Sequence, residues 1–312
     1  MSDQWTAVYL PDDAVQRLRR AADRPETAGT PYTIVEEIGR GGMGTVYRAV
    51  DATLDREVAL KVSTLGQADP DEAERMRREA SVMARLEHPG IVPVHDAGEL
   101  PDGRVYYAMK LVRGERLDRW VDGRTLPDRL GVFQRVCEAV SFAHAHGVVH
   151  RDLKPQNIMI GAFGEVLVLD WGVARRREEP AEPRGTVLGT RTYMAPEQEQ
   201  GRTDLVDERT DVYALGAILK FLLETDAPAA SAPRALRSVA AMAMQREPSA
   251  RYPGAAAVSA DIGRFLDGAV PAAHRENLFE RLGRLGARHR TAILLVLTYL
   301  VVRALLILLP GR

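Results

Sequence analysis

His150-Arg151-Asp152-Leu153-Lys154-Pro155-Gln156-Asn157, followed further on by Asp170-Trp171-Gly172, puts a carboxylate, an ammonium and two metal-competent oxygen donors into one short stretch. Phosphate chemistry needs that combination, because a base or orienting group must meet the nucleophile while cations offset charge on the transferred group. A binding module has no such need. Upstream of this run, residues 32–38 read as a strand, 39–44 as a tight glycine turn and 45–50 as the returning strand, with 57–62 a third antiparallel strand. Residues 71–86 carry Met76, Ala80, Met83 and Leu86 on one helical face, and 92–99 and 105–111 read as two more strands. After Gly114 helices dominate: 130–146 is long and amphipathic, 211–224 is apolar, and the Ala-rich remainder through Leu266 is helical. This order predicts an α+β, bilobal fold with a strand-rich N-lobe and a helical C-lobe joined near 110–114.

The 312 residues suffice for such a two-lobed domain, and 42 Lys and Arg against 43 Asp and Glu leave a net charge of -1. That balance provides no overall cationic field, so nucleic acid is not an expected partner. The single cysteine, Cys137, rules out an intrachain disulfide, and no Cys/His cluster has metal-site spacing. Leu130, Phe133, Val136 and Val140 around it mark an ordinary packed helix position. Asp3, Asp12 and Asp13 come too early for a secretion signal. Trp5, Val8 and Leu10 are expected to dock on the domain, and Arg17, Arg19 and Arg20 to sit on a short helix.

Gly39-Arg40-Gly41-Gly42-Met43-Gly44 matches a GxGxxG pattern, which is weak alone. Here strand residues flank it, so the glycines would lay backbone N–H groups over phosphates without Cβ interference. A dinucleotide-binding unit would instead enter a helix at once, which Thr45-Val46-Tyr47 argues against. Lys61 lies on the adjoining strand, and Glu79 on the next helix is a suitable carboxylate to hold it. Two solvated surface charges remain the alternative for that pair.

Together these residues resemble the eukaryotic-like protein kinase superfamily, especially bacterial membrane-linked serine/threonine kinases. The likeness spans about 32–266 and includes Gly39, Gly41, Gly44, Lys61, Glu79, the 150–157 run, Asp170-Trp171-Gly172, Gly189-Thr190, Ala195-Pro196-Glu197, Asp211 and Arg251. The resemblance implies ATP and Mg²⁺ as cofactors and protein Ser/Thr hydroxyls as substrates. Asp152 would orient the hydroxyl and accept its proton, Lys154 would stabilise the transferred group, and Asn157 and Asp170 would bind Mg²⁺. Lys61, paired with Glu79, would hold the α- and β-phosphates; Val46, Ala59 and Met159 would enclose adenine, with Met109 at the gate behind it. Met83, Val94, His150 and Trp171 resemble the stack that connects the lobes of an active kinase. Trp171 replaces the usual phenylalanine, which adds bulk and an N–H that needs a partner. A nucleotide-binding pseudokinase or membrane scaffold is the alternative function.

Residues 174–192 resemble an activation segment. Arg151 would pair with a phosphate on Thr186 or Thr192, giving control by self-phosphorylation between associated copies, while Thr190 would hydrogen-bond Asp152 and Lys154. Glu197 and Arg251 match a buried pair that secures the substrate-side loop, and Asp211 would brace the catalytic loop. Only a brief Ala/Pro-rich connection follows Leu223 where relatives have a longer loop and a docking helix, which reduces the expected substrate-recognition surface. The expected organisation is an extension at 1–31, a kinase domain at 32–268, a basic juxtamembrane segment at 269–290 and a transmembrane helix at 291–310.

That last helix rests on residues 292–309, 18 residues in which 13 are Leu, Ile or Val. As a helix they would span about 27 Å. The apolar residues favour insertion by roughly 4 to 8 kcal/mol and Arg303 opposes it by about 3 kcal/mol. Arg281, Arg284, Arg288 and Arg290 precede the stretch, so the positive-inside rule predicts a single-pass protein of the bacterial cell membrane with its kinase domain cytoplasmic. An apolar helix docked on a soluble partner is the alternative.

Overall fold

A computed structural model describes residues 24–41, 44–64, 70–179, 182–186, 189–225, 232–276 and 290–308. The expectations for Trp5, Val8, Leu10 and the helix at 17–20, for Arg281, Arg284 and Arg288, and for the connection at 226–231 lie outside these residues.

Five antiparallel strands form the first lobe: β1 (Tyr32–Gly41), β2 (Gly44–Asp51), β3 (Arg56–Val62), β4 (Val94–Glu99) and β5 (Val105–Lys110), in the order β1-β2-β3-β5-β4. Alternation along β3 sorts its side chains. Val58, Leu60 and Val62 join Ile34, Tyr47, Ala49 and Tyr106 in a buried cluster on one face, while Ala59 and Lys61 point to the other. The β1–β2 pairing runs through Gly41 opposite Gly44, so β1 extends past the strand end expected at residue 38. Gly44 has φ +128°, and a Cβ there would meet the Val62 carbonyl oxygen at 2.5 Å. Only glycine lets this hairpin close so tightly over β3.

Helix α1 (Pro70–Ala84) packs Met76, Ala80 and Met83 toward the main core and buries Glu79. The chain then crosses from β5 to β6 (Gly114–Arg116) and the short α2 (Leu117–Trp120). In the second lobe α3 (Leu126–Ala145) begins four residues earlier than periodicity suggests, because Thr125 caps it: its hydroxyl accepts from Asp128 N while its own N–H donates to the Asp128 carboxylate. Gly147, at φ +71°, ends the helix. Leu130, Phe133, Cys137 and Val140 line its buried side, and burial pushes the Cys137 thiol pKa well up. Each large apolar side chain so buried contributes roughly 1.5–3 kcal/mol.

Short strands β7 (Val148–Val149), β8 (Ile158–Gly161), β9 (Val166–Val168) and β10 (Arg175–Arg176) frame the loops between them; β6, β8 and β9 form one small sheet, β7 and β10 another. Helices α4 (Pro196–Glu199), α5 (Glu208–Glu224), α6 (Arg234–Ala243) and α7 (Ala255–Leu266) follow. Asp207 caps α5 through Arg209 N at 2.8 Å, which again moves the helix start ahead of the apolar run. Beyond α7, the Asp261 carboxylate accepts from the N–H groups of Ala272 and Ala273 at 2.7 and 3.0 Å, pinning the chain that leaves the lobe.

Among the described residues no helix is long and apolar enough to cross a membrane. The last helix, α8 (Arg290–Leu308), has 19 residues, but its described side chains cover only 294–304, about 16 Å of rise. The described residues therefore do not carry the expected span. Leu294 to Leu297 and Tyr299 to Val302 are each at least half exposed, so apolar surface faces outward on every side of this stretch.

One buried ion pair ties α4 to the end of the helical lobe. Arg251 donates from Nη1 and Nη2 to the two Glu197 oxygens, both at 2.7 Å, with side chains 0% and 3% exposed. Thr210 and the carbonyls of Arg209, Gln245 and Arg246 satisfy the remaining valences. Glu197→Ala leaves a buried guanidinium unpaired, and urea unfolding of the full chain is expected to show a loss of about 3–5 kcal/mol. Glu224→Ala, which removes the exposed Lys220–Glu224 pair at 3.8 Å, is expected to cost under about 1 kcal/mol; equal losses would refute the distinction.

Candidate active site

Lys61 and Glu79 meet between β3 and α1. Lys61 Nζ lies 2.9 and 2.8 Å from the two Glu79 oxygens and 3.5 Å from Asp170 Oδ1, and both partners of the first pair are almost fully buried. Burial alone would push the ammonium pKa down; the Glu79 charge outweighs it and holds the pKa well above the usual lysine range. Tyr107, directly opposite Lys61 on β5, donates its hydroxyl to Glu79 at 2.9 Å. The sequence reading missed this tyrosine. Its place on the same sheet face as Lys61 was the available signal.

Asp152 and its neighbours form a second group. Its Oδ2 accepts from Lys154 Nζ at 2.6 Å and its Oδ1 from the Thr190 N–H at 2.8 Å, while Lys154 also donates to the Thr190 hydroxyl at 2.7 Å. Asn157 commits Nδ2 to the Asp152 carbonyl at 2.9 Å. Gly189, at φ +114°, brings the chain before Thr190 against this loop: a Cβ would sit 2.9 Å from the Arg151 carbonyl oxygen. Thr190 can reach Asp152 only across that glycine.

The backbone of the 150–157 loop is held from beneath. Asp211, 1% exposed, accepts from the His150 N–H, the Arg151 N–H and His144 Nε2, each at 2.8 Å. Burial raises its pKa, but the His144 hydrogen bond and the other donors reverse this and leave the carboxyl below its usual range. His144 was also missed; a histidine on the buried stripe of α3 needs a polar partner, and that was the clue. Arg151 and Asp170 both occupy left-handed backbone, at φ +68° and +59°, which costs roughly 1–2 kcal/mol for each such residue.

Trp171 is 1% exposed and packs on His150 at 4.5 Å between ring centroids, with its N–H directed at the Val168 carbonyl at 3.5 Å. Met83 lies in the same core, with Val94 packed against its edge. The indole thus turns inward, while the Asp170 side chain stays 45% exposed. Burial raises the Asp170 carboxyl pKa, and the Lys61 charge more than offsets this, keeping it lowered.

These groups line one cleft of about 1160 Å³ between the lobes. Gly39, Gly41, Gly44 and Val46 form its roof, Ala59, Met109 and Met159 lie along it, and Lys61, Glu79, Asp152, Asn157, Asp170 and Thr190 stand at its polar end. Thr186 donates to the Pro183 carbonyl at 2.8 Å, Thr192 is exposed, and the Arg151 guanidinium is bonded to Glu182.

The sequence matches the protein kinase domain family over residues 32–276. It is 37% identical over 281 residues to serine/threonine-protein kinase PknB of Mycolicibacterium smegmatis, covering 79% of this chain and 45% of that one. PknH of Mycobacterium bovis is 40% identical over 231 residues, covering 72% and 38% respectively. PknD of Protochlamydia amoebophila is 36% identical over 247 residues, covering 66% and 25%. The chain spans less than half the length of each of these curated relatives. Among solved structures, the kinase domain of Mycobacterium tuberculosis PknI superposes with a TM-score of 0.59 at 27% identity, over 78% of this chain and 98% of that one. A strand-rich lobe with a buried lysine–glutamate pair, a helical lobe whose 150–157 loop is braced by Asp211, and a family match across 32–276 lead to one conclusion: the chain belongs to the protein kinase domain family.

Proposed function

We propose that the chain is an ATP-dependent serine/threonine protein kinase that transfers the γ-phosphoryl group to protein hydroxyls. The observation that supports this most strongly is the convergence of Lys61, Glu79, Asp152, Asn157, Asp170 and Thr190 on one cleft, with Lys154 bonded to both Asp152 and Thr190. ATP would lie beneath the β1–β2 hairpin, with adenine among Val46, Ala59 and Met159 ahead of Met109, and its α- and β-phosphates against Lys61. The lowered Asp170 carboxyl and the Asn157 amide oxygen, left over once Nδ2 is committed, are hard oxygen donors of the kind Mg²⁺ takes. Mg²⁺ bound there would neutralise phosphate charge.

The substrate hydroxyl meets Asp152, which orients it and accepts its proton. As the new bond forms between that oxygen and the γ-phosphorus, the bond to the β–γ bridging oxygen breaks and ADP leaves with the electron pair. Lys154 offsets charge on the transferring group, and its hydrogen bonds to both Asp152 and Thr190 keep it positioned beforehand. The same reading allows one copy to phosphorylate another.

The C-terminal segment acts, in this proposal, as a membrane anchor that leaves the kinase domain on the cytoplasmic face. A helix apolar on all sides is stable in a bilayer or against a partner, but not in water. The exposed apolar residues from Leu294 to Val302 and the arginines before them support the bilayer.

Asp152→Asn is expected to lower γ-phosphate transfer to a generic Ser/Thr substrate by about 10²–10⁴-fold while ATP still binds. Lys61→Met is expected to lose at least about a hundredfold by removing a fixed cation from the phosphates. Undiminished transfer by Asp152→Asn would sink the assignment, and a wild-type chain that binds ATP without transfer in every metal and phosphorylation state would be a scaffold. In detergent-free fractionation the full chain is expected to stay with membranes at high salt and a chain ending at 276 to be released; release of both would remove the anchor.

A further inference from the structure

We infer that Glu182 is a positioning residue for phosphoryl transfer: its carboxylate supplies the negative charge that locks the activation segment to the catalytic loop, so assembly of the site needs no phosphate on that segment. This rests on the kinase reading above.

Arg151 immediately precedes Asp152, and its guanidinium gives the activation segment a second hold on the catalytic loop beside that of Thr190. Nη1 donates to Glu182 Oε1 at 2.6 Å, and Nε donates to the Val173 carbonyl at 2.5 Å, just beyond Asp170-Trp171-Gly172. A second cation approaches from β10: Arg175 Nη1 lies 3.8 Å from Glu182 Oε2. Arg175 also donates to the carbonyls of Thr203 and Val206, at 3.3 and 2.7 Å, so it is anchored to the substrate-side loop. The Glu182 backbone is fixed as well, its carbonyl accepting from the Thr203 hydroxyl at 2.6 Å.

One carboxylate therefore sits between two guanidinium groups that belong to different parts of the machinery. The Arg151 and Arg175 side chains are 7% and 14% exposed, and Glu182 is 26% exposed, so solvent screens this group less than a surface pair. Burial raises the Glu182 carboxyl pKa, and the Arg151 hydrogen bond and charge outweigh it, holding the carboxyl below its usual range. It is ionised throughout the neutral range, as a phosphate would be. Thr186 lines the same small cavity as Arg151 and Glu182, so a phosphate there would meet a guanidinium already neutralised and a like charge beside it.

The linkage to catalysis is short. Arg151 accepts at its carbonyl from Gln198 Nε2 at 2.8 Å and donates its N–H to Asp211, and its left-handed backbone sets the direction in which Asp152 leaves it. Loss of the Glu182 charge would leave Arg151 without its anionic partner and free the segment that carries Thr190 to Asp152.

The test uses the full chain, treated with phosphatase and confirmed free of phosphate by mass spectrometry. That protein is expected to transfer phosphate as fast as the untreated one. Glu182→Gln, which keeps shape and removes charge, is expected to lower kcat roughly tenfold to a hundredfold with the KM for ATP unchanged and the thermal midpoint only slightly lowered, a loss in keeping with one charge-assisted hydrogen bond. Glu182→Asp is expected to recover part of the rate. In Glu182→Thr the activity should become dependent on phosphorylation of the introduced hydroxyl and sensitive to phosphatase. A wild-type chain that is inactive until Thr186 or Thr192 is phosphorylated, or a Glu182→Gln chain with unchanged kcat, overturns the inference while the kinase reading stands. No transfer by wild type in any phosphorylation state overturns the kinase reading instead.

Discussion

The buried carboxylate of Asp211 is the constraint on which the rest of the site depends. Three donors converge on it, two of them backbone N–H groups of the consecutive residues His150 and Arg151. Those residues include Arg151, whose left-handed backbone would relax if left to itself. A charged acceptor inside a protein makes each hydrogen bond stronger and each lost one costlier, so strain in the loop is held by charge from α5. Asp152 then leaves Arg151 in a set direction, and Lys154, Asn157 and Thr190 arrange themselves around it.

The two lobes meet this loop by separate physics. In the strand-rich lobe, alternation along β3 turns Lys61 away from the apolar cluster, and Glu79 on α1 supplies the opposite charge that lets an ammonium remain buried. Asp170 joins them from the helical lobe at 3.5 Å, so the lysine touches groups from both halves of the molecule. The cleft is where these two frameworks face one another. Its roof depends on a glycine hairpin that no other residue could close against Val62.

Much of this was legible in the sequence where the signal was local. The strand–turn–strand around Gly39–Gly44, the alternation at Lys61 and the run from His150 to Asn157 each read within a few residues of themselves. Helix starts were not, since α3 and α5 begin at Thr125 and Asp207, polar caps that lie ahead of the apolar pattern. Partners separated by long stretches were harder still. Tyr107 reaches Glu79, His144 reaches Asp211 and Glu182 reaches Arg151 only after the chain has folded, and each looked like a common residue in an unremarkable place. Arg151 pointed to an anionic partner on the segment, and Glu182, which it bonds, was one acidic residue among several in 178–182.

Trp171 has a consequence for how the site behaves before any nucleotide arrives. An indole buries about 150–250 Å² of surface, so turning this segment outward would expose an area that costs on the order of 5 kcal/mol at ~25 cal/mol per Å². Its fit against His150 therefore acts as a latch made of packing. Because the latch is apolar, salt should weaken it little, and the hold on the Asp170 segment is expected to outlast ionic strengths that would dissolve a surface charge contact.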